Sequence, residues 1–196
     1  MKQVYTSLLF LFCSCFVTLE AMDHKGFVVT HDGKEISGRI TNIYYSDWRS
    51  EVTFVNEMGR SYQYHPATIK GFVYEHRGEQ VRYVSKVHRG RWLFMRVLYV
   101  GEQVVLYRSP ERKRQMVRQI SGYSEMDLLS HEYWVEMPRK RPFQIYPLTY
   151  KKTLRQKFSR HPELVAKLGS PGYRYRDMAE IIREYDELQK SNRSSL

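Results

Sequence analysis

Apolar and polar residues alternate along most of the chain between residues 26 and 108. Glycine-containing turns interrupt this alternation at intervals of about 20 to 26 residues. The four turns contain Asp32-Gly33, Met58-Gly59, Gly78-Glu79 and Gly101-Glu102. A period of two residues is typical of strands, and a tight turn with a central glycine is typical of β-hairpins. The pattern therefore predicts roughly eight antiparallel strands. Strand-like residues return at 133–135 and 143–146, where one or two closing strands are expected.

The strongest strand pattern lies in residues 70–108, where the turn word Gly-Glu-Gln-Val occurs twice, beginning at Gly78 and at Gly101. A glycine at the first central position of a two-residue loop suits a type II′ turn, so both glycines are expected to have positive φ. In the second hairpin this turn places Tyr99 opposite Val104. Both faces of that hairpin are then largely apolar, which predicts a place in the middle of the fold.

Beyond Pro147 the period changes from that of strands to that of helices. Thr149 is in position to cap a first short helix, and Pro162 is in position to open a second. A third helix is predicted from about Arg174 to Gln189, because its apolar residues recur at helical spacing. That apolar stripe consists of Tyr175, Met178, Ile181, Ile182, Tyr185 and Leu188. We expect the stripe to pack on the outer face of the central hairpin.

These patterns predict a mainly β fold with a C-terminal α-helical segment. The β part is expected to be an antiparallel hairpin meander that forms a small barrel or sandwich, because a meander of this length must curl or split to cover its core. The predicted divisions are a signal peptide at residues 1–21, a β-rich body at residues 22–147, and a helical segment at residues 148–196 that packs on the β body.

The N-terminal segment has the features of a secretory signal peptide. A lysine follows the first methionine, an apolar stretch runs over Leu8–Leu19, and Ala21 is the small residue expected before a cleavage site. The sequence therefore predicts export to the periplasm or cell envelope. Both cysteines lie inside this segment, so no disulfide is expected in the mature chain. An alternative is a membrane-anchored lipoprotein modified at Cys15, although only Ser14 fits the preceding recognition residues.

The net charge is +11, and removal of the signal leaves it unchanged because that segment holds one lysine and one glutamate. Such an excess predicts attraction to polyanions, which for an exported protein means anionic lipid, lipopolysaccharide or acidic glycan before nucleic acid. No later apolar run reaches membrane-spanning length, so a peripheral rather than transmembrane association is expected. The candidate anion-binding residues are Arg112, Lys113, Arg114, Arg139, Lys140, Arg141, Lys151, Lys152, Arg155 and Lys157.

The last seven of these cations, from Arg139 to Lys157, lie in an acid-free stretch between Met137 and Pro162. Aromatic residues are interleaved with them. One interpretation is a surface that docks on a polyanion. The other is a solvated basic face whose aromatic residues belong to the core.

Catalytic and metal-binding motifs are not found in this sequence. The seven histidines show no zinc-binding spacing, and His76 is expected to be a partly buried structural residue. No serine lies in a nucleophile-elbow frame. The carboxylates considered for glycoside hydrolysis are Glu75, Glu79, Glu102, Asp127, Glu132 and Glu136, and their spacing singles out no pair. We therefore predict no catalytic, cofactor-binding or metal-binding residue and no cofactor.

Several short segments carry a resemblance to a known group of proteins. They are Gly26–Thr30, Ile36–Gly38, Ile69–Phe72, Arg82–Ser85, Val104–Tyr107 and Tyr150–Leu154. In these segments the chain resembles small exported, β-rich proteins of Bacteroidota-type bacteria, which have a signal peptide, a β-rich body and a short helical tail. The resemblance implies export and this topology, and it implies no activity.

The sequence thus favours an exported, non-catalytic binding or structural component of a bacterial cell envelope. An envelope hydrolase acting on glycans is the alternative from the enzyme class. Nucleic-acid binding is a third interpretation, which applies only if the N-terminal segment is not a signal.

Overall fold

A computed structural model describes residues 23–45, 49–88, 90–109, 133–138, 140 and 142–194, and the structural statements below concern these residues. The predicted signal peptide and the basic segment around Arg112 lie outside them. The ten strands are β1 (His24–Val29), β2 (Glu35–Tyr45), β3 (Ser50–Asn56), β4 (Ser61–Tyr64), β5 (Gly71–His76), β6 (Glu79–His88), β7 (Arg91–Val100), β8 (Val105–Arg108), β9 (Tyr133–Glu136) and β10 (Phe143–Ile145). The helices are α1 (Tyr150–Lys157), α2 (Pro162–Lys167) and α3 (Met178–Ser194), and a 3₁₀ turn at Tyr175–Asp177 precedes α3.

All ten strands form one antiparallel sheet in the order β10-β9-β8-β7-β6-β5-β1-β2-β3-β4. Strands β1 to β4 are sequential neighbours, as are strands β5 to β10, and the antiparallel pairing of β1 with β5 joins the two runs. The prediction of a mainly antiparallel β fold with a C-terminal helical segment is confirmed. Strands β1 to β8 form the predicted hairpin region, and β9 and β10 are the two closing strands that follow it. The sheet is curled but not closed.

The curl brings β3 back towards β7. The backbone N–H of Phe94 in β7 donates a hydrogen bond to Oγ of the buried Ser50 at the start of β3, with an N···O distance of 3.1 Å. Register shifts at Thr41 in β2 and at Leu98 in β7 bend the strands locally. The curled face encloses a first hydrophobic core of Val28, Ile40, Val52, Phe54, Ile69, Phe72, Tyr74, Val81, Tyr83 and Phe94.

The turn between β5 and β6 is centred one residue earlier than the glycine pattern predicts. Arg77 and Gly78, rather than Gly78 and Glu79, are the two loop residues, and His76 lies opposite Glu79. Both loop residues have positive φ, 53° for Arg77 and 79° for Gly78. Two consecutive positive φ angles are the requirement of a type I′ turn, whose preferred glycine position is the second. The predicted positive φ of Gly78 is thus confirmed, whereas the predicted turn type is wrong.

The β7–β8 hairpin departs further from its prediction. Its loop spans four residues, closed by a hydrogen bond of 2.9 Å from the N–H of Gly101 to the carbonyl oxygen of Val104. Tyr99 lies opposite Leu106 rather than Val104, because the longer loop shifts the pairing by two residues. The bulge at Leu98 then shifts the pairing by one residue, so that Val97 lies opposite Tyr107. Gly101 does not have positive φ, so that prediction is wrong. Its lack of a side chain serves a different purpose, described with the site below.

The helical segment packs on the β8–β10 end of the sheet. Met178, Ile181 and Ile182 of α3 are fully buried, in line with the predicted stripe. This second hydrophobic core consists of Val104, Leu106, Tyr133, Val135, Met137, Ile145, Tyr150, Leu154, Phe158, Leu164, Leu168, Met178, Ile181, Ile182 and Tyr185. The opposite face of the same strands carries a smaller buried group of Met95, Tyr107 and Trp134. Strands β7 to β9 are therefore apolar on both faces.

Candidate anion-binding surface

Helix α1 is fixed by three aromatic and aliphatic side chains that enter the second core. Tyr150, Leu154 and Phe158 recur every four residues and are all buried, with exposed fractions of 8%, 0% and 0%. Side chains four residues apart lie on the same face of a helix, so this face points into the protein. Thr149 occupies the N-cap position as predicted, but its side chain makes no capping hydrogen bond.

The remaining face of α1 carries the predicted cations. Lys151, Lys152, Arg155 and Lys157 are all exposed. At 3.6 residues per turn, Lys152 and Arg155 are neighbours on the outward face. Lys157 lies beside this outward face, and its Nζ is 4.9 Å from the ring centroid of Phe143. The structure therefore brings four of the ten predicted residues together on one short helix.

These four cations have no counter-ion among the residues that the structure describes, because none of the ion pairs there includes them. The first turn of α1 also lacks an acidic residue. Two lysines therefore lie at the helix end where the macrodipole is positive, which is the unfavourable end for a cation. The positive field of the helix end adds to that of the side chains.

Helix α3 shows the opposite arrangement, because most of its charges are paired. Lys167 of α2 binds Glu184 with an N···O distance of 2.7 Å. Arg183 pairs with Glu180 one turn away. Lys190 pairs with Glu102 of the β7–β8 loop at 3.2 Å. The uncompensated positive charge of the described helical segment is thus concentrated on α1.

Two exposed apolar side chains precede α1. Leu148 is 99% exposed and Tyr146 is 44% exposed. They belong to the turn between β10 and α1, which is closed by a hydrogen bond of 3.2 Å from the N–H of Thr149 to the carbonyl oxygen of Tyr146. An apolar tip therefore lies directly beside the first turn of the basic helix.

The other predicted cations are not part of this helix. Lys140 is exposed in the connection between β9 and β10, where it lines a surface cleft of about 570 Å³ together with Gln103, Tyr185 and Gln189. The predicted residues Arg112, Lys113, Arg114, Arg139 and Arg141 lie outside the described residues.

A buried carboxylate that the sequence patterns did not reveal lies next to that cleft. Asp186 of α3 is fully buried and holds the tip of the β7–β8 hairpin. It accepts hydrogen bonds from the backbone N–H groups of Gln103 at 2.7 Å and Glu102 at 3.2 Å, and from the hydroxyl of Tyr99 at 3.0 Å. A Cβ atom on Gly101 would lie 2.4 Å from its Oδ2, so the close approach requires glycine.

These contacts determine the ionisation of Asp186. Burial alone would raise the pKa of this carboxyl group, but the hydrogen bonds from Gln103, Glu102 and Tyr99 and the ammonium group of Lys190 hold its pKa below the ordinary value of 3.8. Asp186 is therefore an ionised anchor between α3 and the sheet. In the sequence Asp186 stands between two other acidic residues, Glu184 and Glu187, and nothing there distinguishes it from them.

The histidines differ from their prediction. His76 is exposed rather than partly buried, and its ring meets that of His24 edge-on with centroids 4.9 Å apart. Among the histidines whose side chains the structure describes, the buried one is His161, which is 2% exposed; its Nε2 accepts a hydrogen bond of 2.8 Å from the side-chain amide of Gln189. Within the described ranges, no three histidine, cysteine, aspartate or glutamate side chains are grouped closely enough to hold a metal ion.

Two of the carboxylates considered for glycan hydrolysis are engaged by cations. Glu136 accepts hydrogen bonds from Nζ of Lys86 at 2.7 Å and from the hydroxyl of Tyr107 at 2.6 Å. Although burial opposes it, these contacts lower the pKa of Glu136. A general acid needs a raised pKa, so Glu136 is suited to a structural ion pair rather than to proton donation. Glu102 is paired with Lys190, as described above.

Comparison with known proteins adds no relative: no protein-family model, no curated protein and no solved structure matches this chain. The resemblance to exported proteins of Bacteroidota-type bacteria stays a prediction. None of the helices in the described part of the chain has the length and hydrophobicity that a bilayer crossing requires.

Proposed function

We propose that this protein is an exported, non-catalytic binding component of a bacterial cell envelope that docks on an anionic surface through α1. The observation that carries the proposal is the set of four exposed cations on one eight-residue helix, without an acidic partner among the described residues. The ligand chemistry is a dense array of phosphate, sulfate or carboxylate groups, as in anionic lipid, lipopolysaccharide or acidic glycan.

The alternative of a solvated basic face accounts less well for the positions of the charges. On α3 acidic and basic residues are mixed and form pairs that stabilise a helix, as with Glu180 and Arg183. On α1, Lys151 and Lys152 stand at the end of the helix where cations cost about 0.3 to 1 kcal/mol each. Residues placed against local stability are expected at functional sites.

The expected strength follows from the number of cations. A lysine or arginine close to an anionic surface contributes up to about 1 kcal/mol, so four contribute at most about 4 kcal/mol, or roughly a thousandfold in affinity. The Debye length falls from about 10 Å at 0.1 M salt to about 3 Å at 1 M, so the binding should weaken steeply as salt is added.

Export rests on the N-terminal pattern alone, with its lysine, its apolar stretch and Ala21. A lipid anchor on Cys15 is compatible with the same docking surface, because it would hold the protein at a membrane by its N-terminus.

Binding of the chain that begins at Met22 to two probes tests the proposal. The probes are vesicles of phosphatidylglycerol and phosphatidylcholine, and heparin as a soluble polyanion. The test variant has Lys151, Lys152, Arg155 and Lys157 changed to glutamine. We expect the parent chain to bind the anionic probes at low salt and the variant to bind them at least tenfold more weakly.

The matched control removes charge elsewhere, with Lys25→Gln and Arg60→Gln at two exposed cations of β1 and the β3–β4 turn. General attraction by net charge would make the two variants weaken in proportion to the charge removed. If the α1 variant binds as well as the parent chain, or if the parent chain binds no anionic probe at low salt, the proposal is wrong.

A further inference from the structure

We infer that the anionic surface is a lipid bilayer, into whose interface the turn Tyr146–Leu148 inserts while α1 contacts the head groups. This inference rests on the proposed function, and it selects one of the ligands that the basic helix alone leaves open.

The exposure of the turn is the first observation. Leu148 is the most exposed of the large apolar side chains that the structure describes, at 99%. Met58, the next most exposed at 79%, lies at the tip of the β3–β4 hairpin, next to the opposite edge of the sheet and between Glu57 and Arg60. Single exposed apolar residues are common on protein surfaces. Leu148 differs from Met58 in its neighbours, which are Tyr146 and an acid-free basic helix.

The rigidity of the turn is the second observation. The turn is held between two buried residues, Ile145 at the end of β10 and Tyr150 at the start of α1. The hydroxyl of Tyr146 donates a hydrogen bond of 2.7 Å to the side-chain oxygen of Gln144. Leu148 therefore cannot fold back onto the core without unwinding the start of α1, and its side chain is presented outward.

The chemistry of the two groups together distinguishes a bilayer from a soluble polymer. A soluble polyanion neutralises the lysines but offers no apolar phase for a leucine. The interface of a bilayer offers both, because leucine partitions towards the acyl chains, tyrosine is favoured at the head-group level, and lysine and arginine face the phosphates. Lys152 follows Leu148 by four residues, so the apolar tip and the first cations are about one helical turn apart in the chain.

The test compares Leu148→Asn with the parent chain on the same vesicles and on heparin. Leu148 is fully exposed, so the change should leave folding intact, which a thermal unfolding curve checks. We expect a loss of about tenfold in affinity for phosphatidylglycerol vesicles, since the transfer of a leucine side chain is the missing interaction. Heparin affinity should be unchanged. The matched control Met58→Asn should alter neither affinity.

The two proposals fail in different ways. If Leu148→Asn binds the vesicles as well as the parent chain does, while the α1 glutamine variant binds them weakly, the bilayer inference is wrong and the proposed function stands. An equal loss on vesicles and on heparin also overturns the inference, because the effect would then not depend on an apolar phase. If the parent chain binds neither probe at low salt, both are wrong.

Discussion

Asp186 is expected to be the most important single polar residue for the attachment of α3 to the sheet. Its carboxylate is fully buried and accepts three hydrogen bonds, two of them from the backbone of the β7–β8 loop. Replacement with alanine removes the carboxylate, so the N–H groups of Glu102 and Gln103 lose their hydrogen-bond acceptor. Replacement with asparagine keeps the size of the side chain, but it removes the charge and turns an amide group towards a donor.

The magnitude follows from these contacts. Hydrogen bonds to a charged group are worth about 1.5 to 3 kcal/mol each, and they are not additive. We therefore expect Asp186→Ala to lower the free energy of unfolding by about 3 to 5 kcal/mol, and Asp186→Asn by about 1.5 to 3 kcal/mol. The neighbouring change Glu102→Gln removes only an exposed ion pair with Lys190 and should cost less than about 1 kcal/mol.

The pKa of Asp186 adds a dependence on pH. Because its pKa is lower in the folded protein than the ordinary value of 3.8, its stabilising contribution is complete above that value. The contribution is lost as the pH falls from there through the lower pKa of the folded state. Asp186→Asn should therefore differ most from the parent chain at neutral pH, and the difference should shrink in acid.

Urea unfolding followed by tryptophan fluorescence at pH 7 and near pH 3 measures both effects. An Asp186→Asn cost no larger than that of Glu102→Gln at pH 7 would contradict the anchoring role of Asp186. A difference between Asp186→Asn and the parent chain that is as large in acid as at neutral pH would contradict the lowered pKa of Asp186.

Further predictions concern the turns, the helix and the N-terminus. Gly101→Ala should cost about 1 to 3 kcal/mol because of its contact with Asp186, and most of that cost should disappear in an Asp186→Ala background; persistence of the cost would indicate backbone strain instead. Gly78→Ala, at φ 79° in open space, should cost about 1 kcal/mol in urea unfolding. Ile182→Asp should lower the thermal midpoint strongly, at a cost of several kcal/mol, and an unchanged midpoint would mean that α3 is an independent arm. The intact mass of the native protein should correspond to a start near Met22, and a mass that retains residues 1–21 would contradict export.

The helical segment was predictable because its signals are local. The buried faces of α1 and α3 follow from residues three and four apart, and Pro162 opens α2 as expected. The exposure of Lys152 and Arg155 follows from the same periodicity, because the apolar residues fix which side of α1 faces inward.

The sheet order and the details of the hairpins were not predictable, because they depend on contacts between distant residues. The pairing of β1 with β5 joins strands about 45 residues apart, and no turn motif encodes it. The glycine of the β7–β8 loop resembles a hairpin glycine in the sequence, yet Asp186, 85 residues later, determines the shape of that loop. The bulge at Leu98 puts the alternation of β7 out of step, so that Tyr99 no longer faces the same side of the sheet as Val97. A simple alternation of apolar and polar residues in the sequence does not reveal such a shift.

The buried histidine was missed for a related reason. His161 precedes Pro162 in a polar stretch, and nothing in its immediate neighbours indicates burial. Its environment is supplied by α3, where Gln189 donates to its ring and Tyr185 meets the ring edge-on with centroids 5.5 Å apart.

The proposed docking through α1 can be tested directly with a reporter on that helix. The chain beginning at Met22 has no cysteine, so Gln156→Cys, on the exposed face of α1, gives a single site for an environment-sensitive fluorophore, and Met58→Cys gives the matched site near the other edge of the sheet. On addition of phosphatidylglycerol vesicles at low salt, we predict a blue shift for the label at position 156, none at position 58, and reversal at 1 M salt. A shift of equal size at both positions, or a shift at position 58 alone, would contradict this prediction.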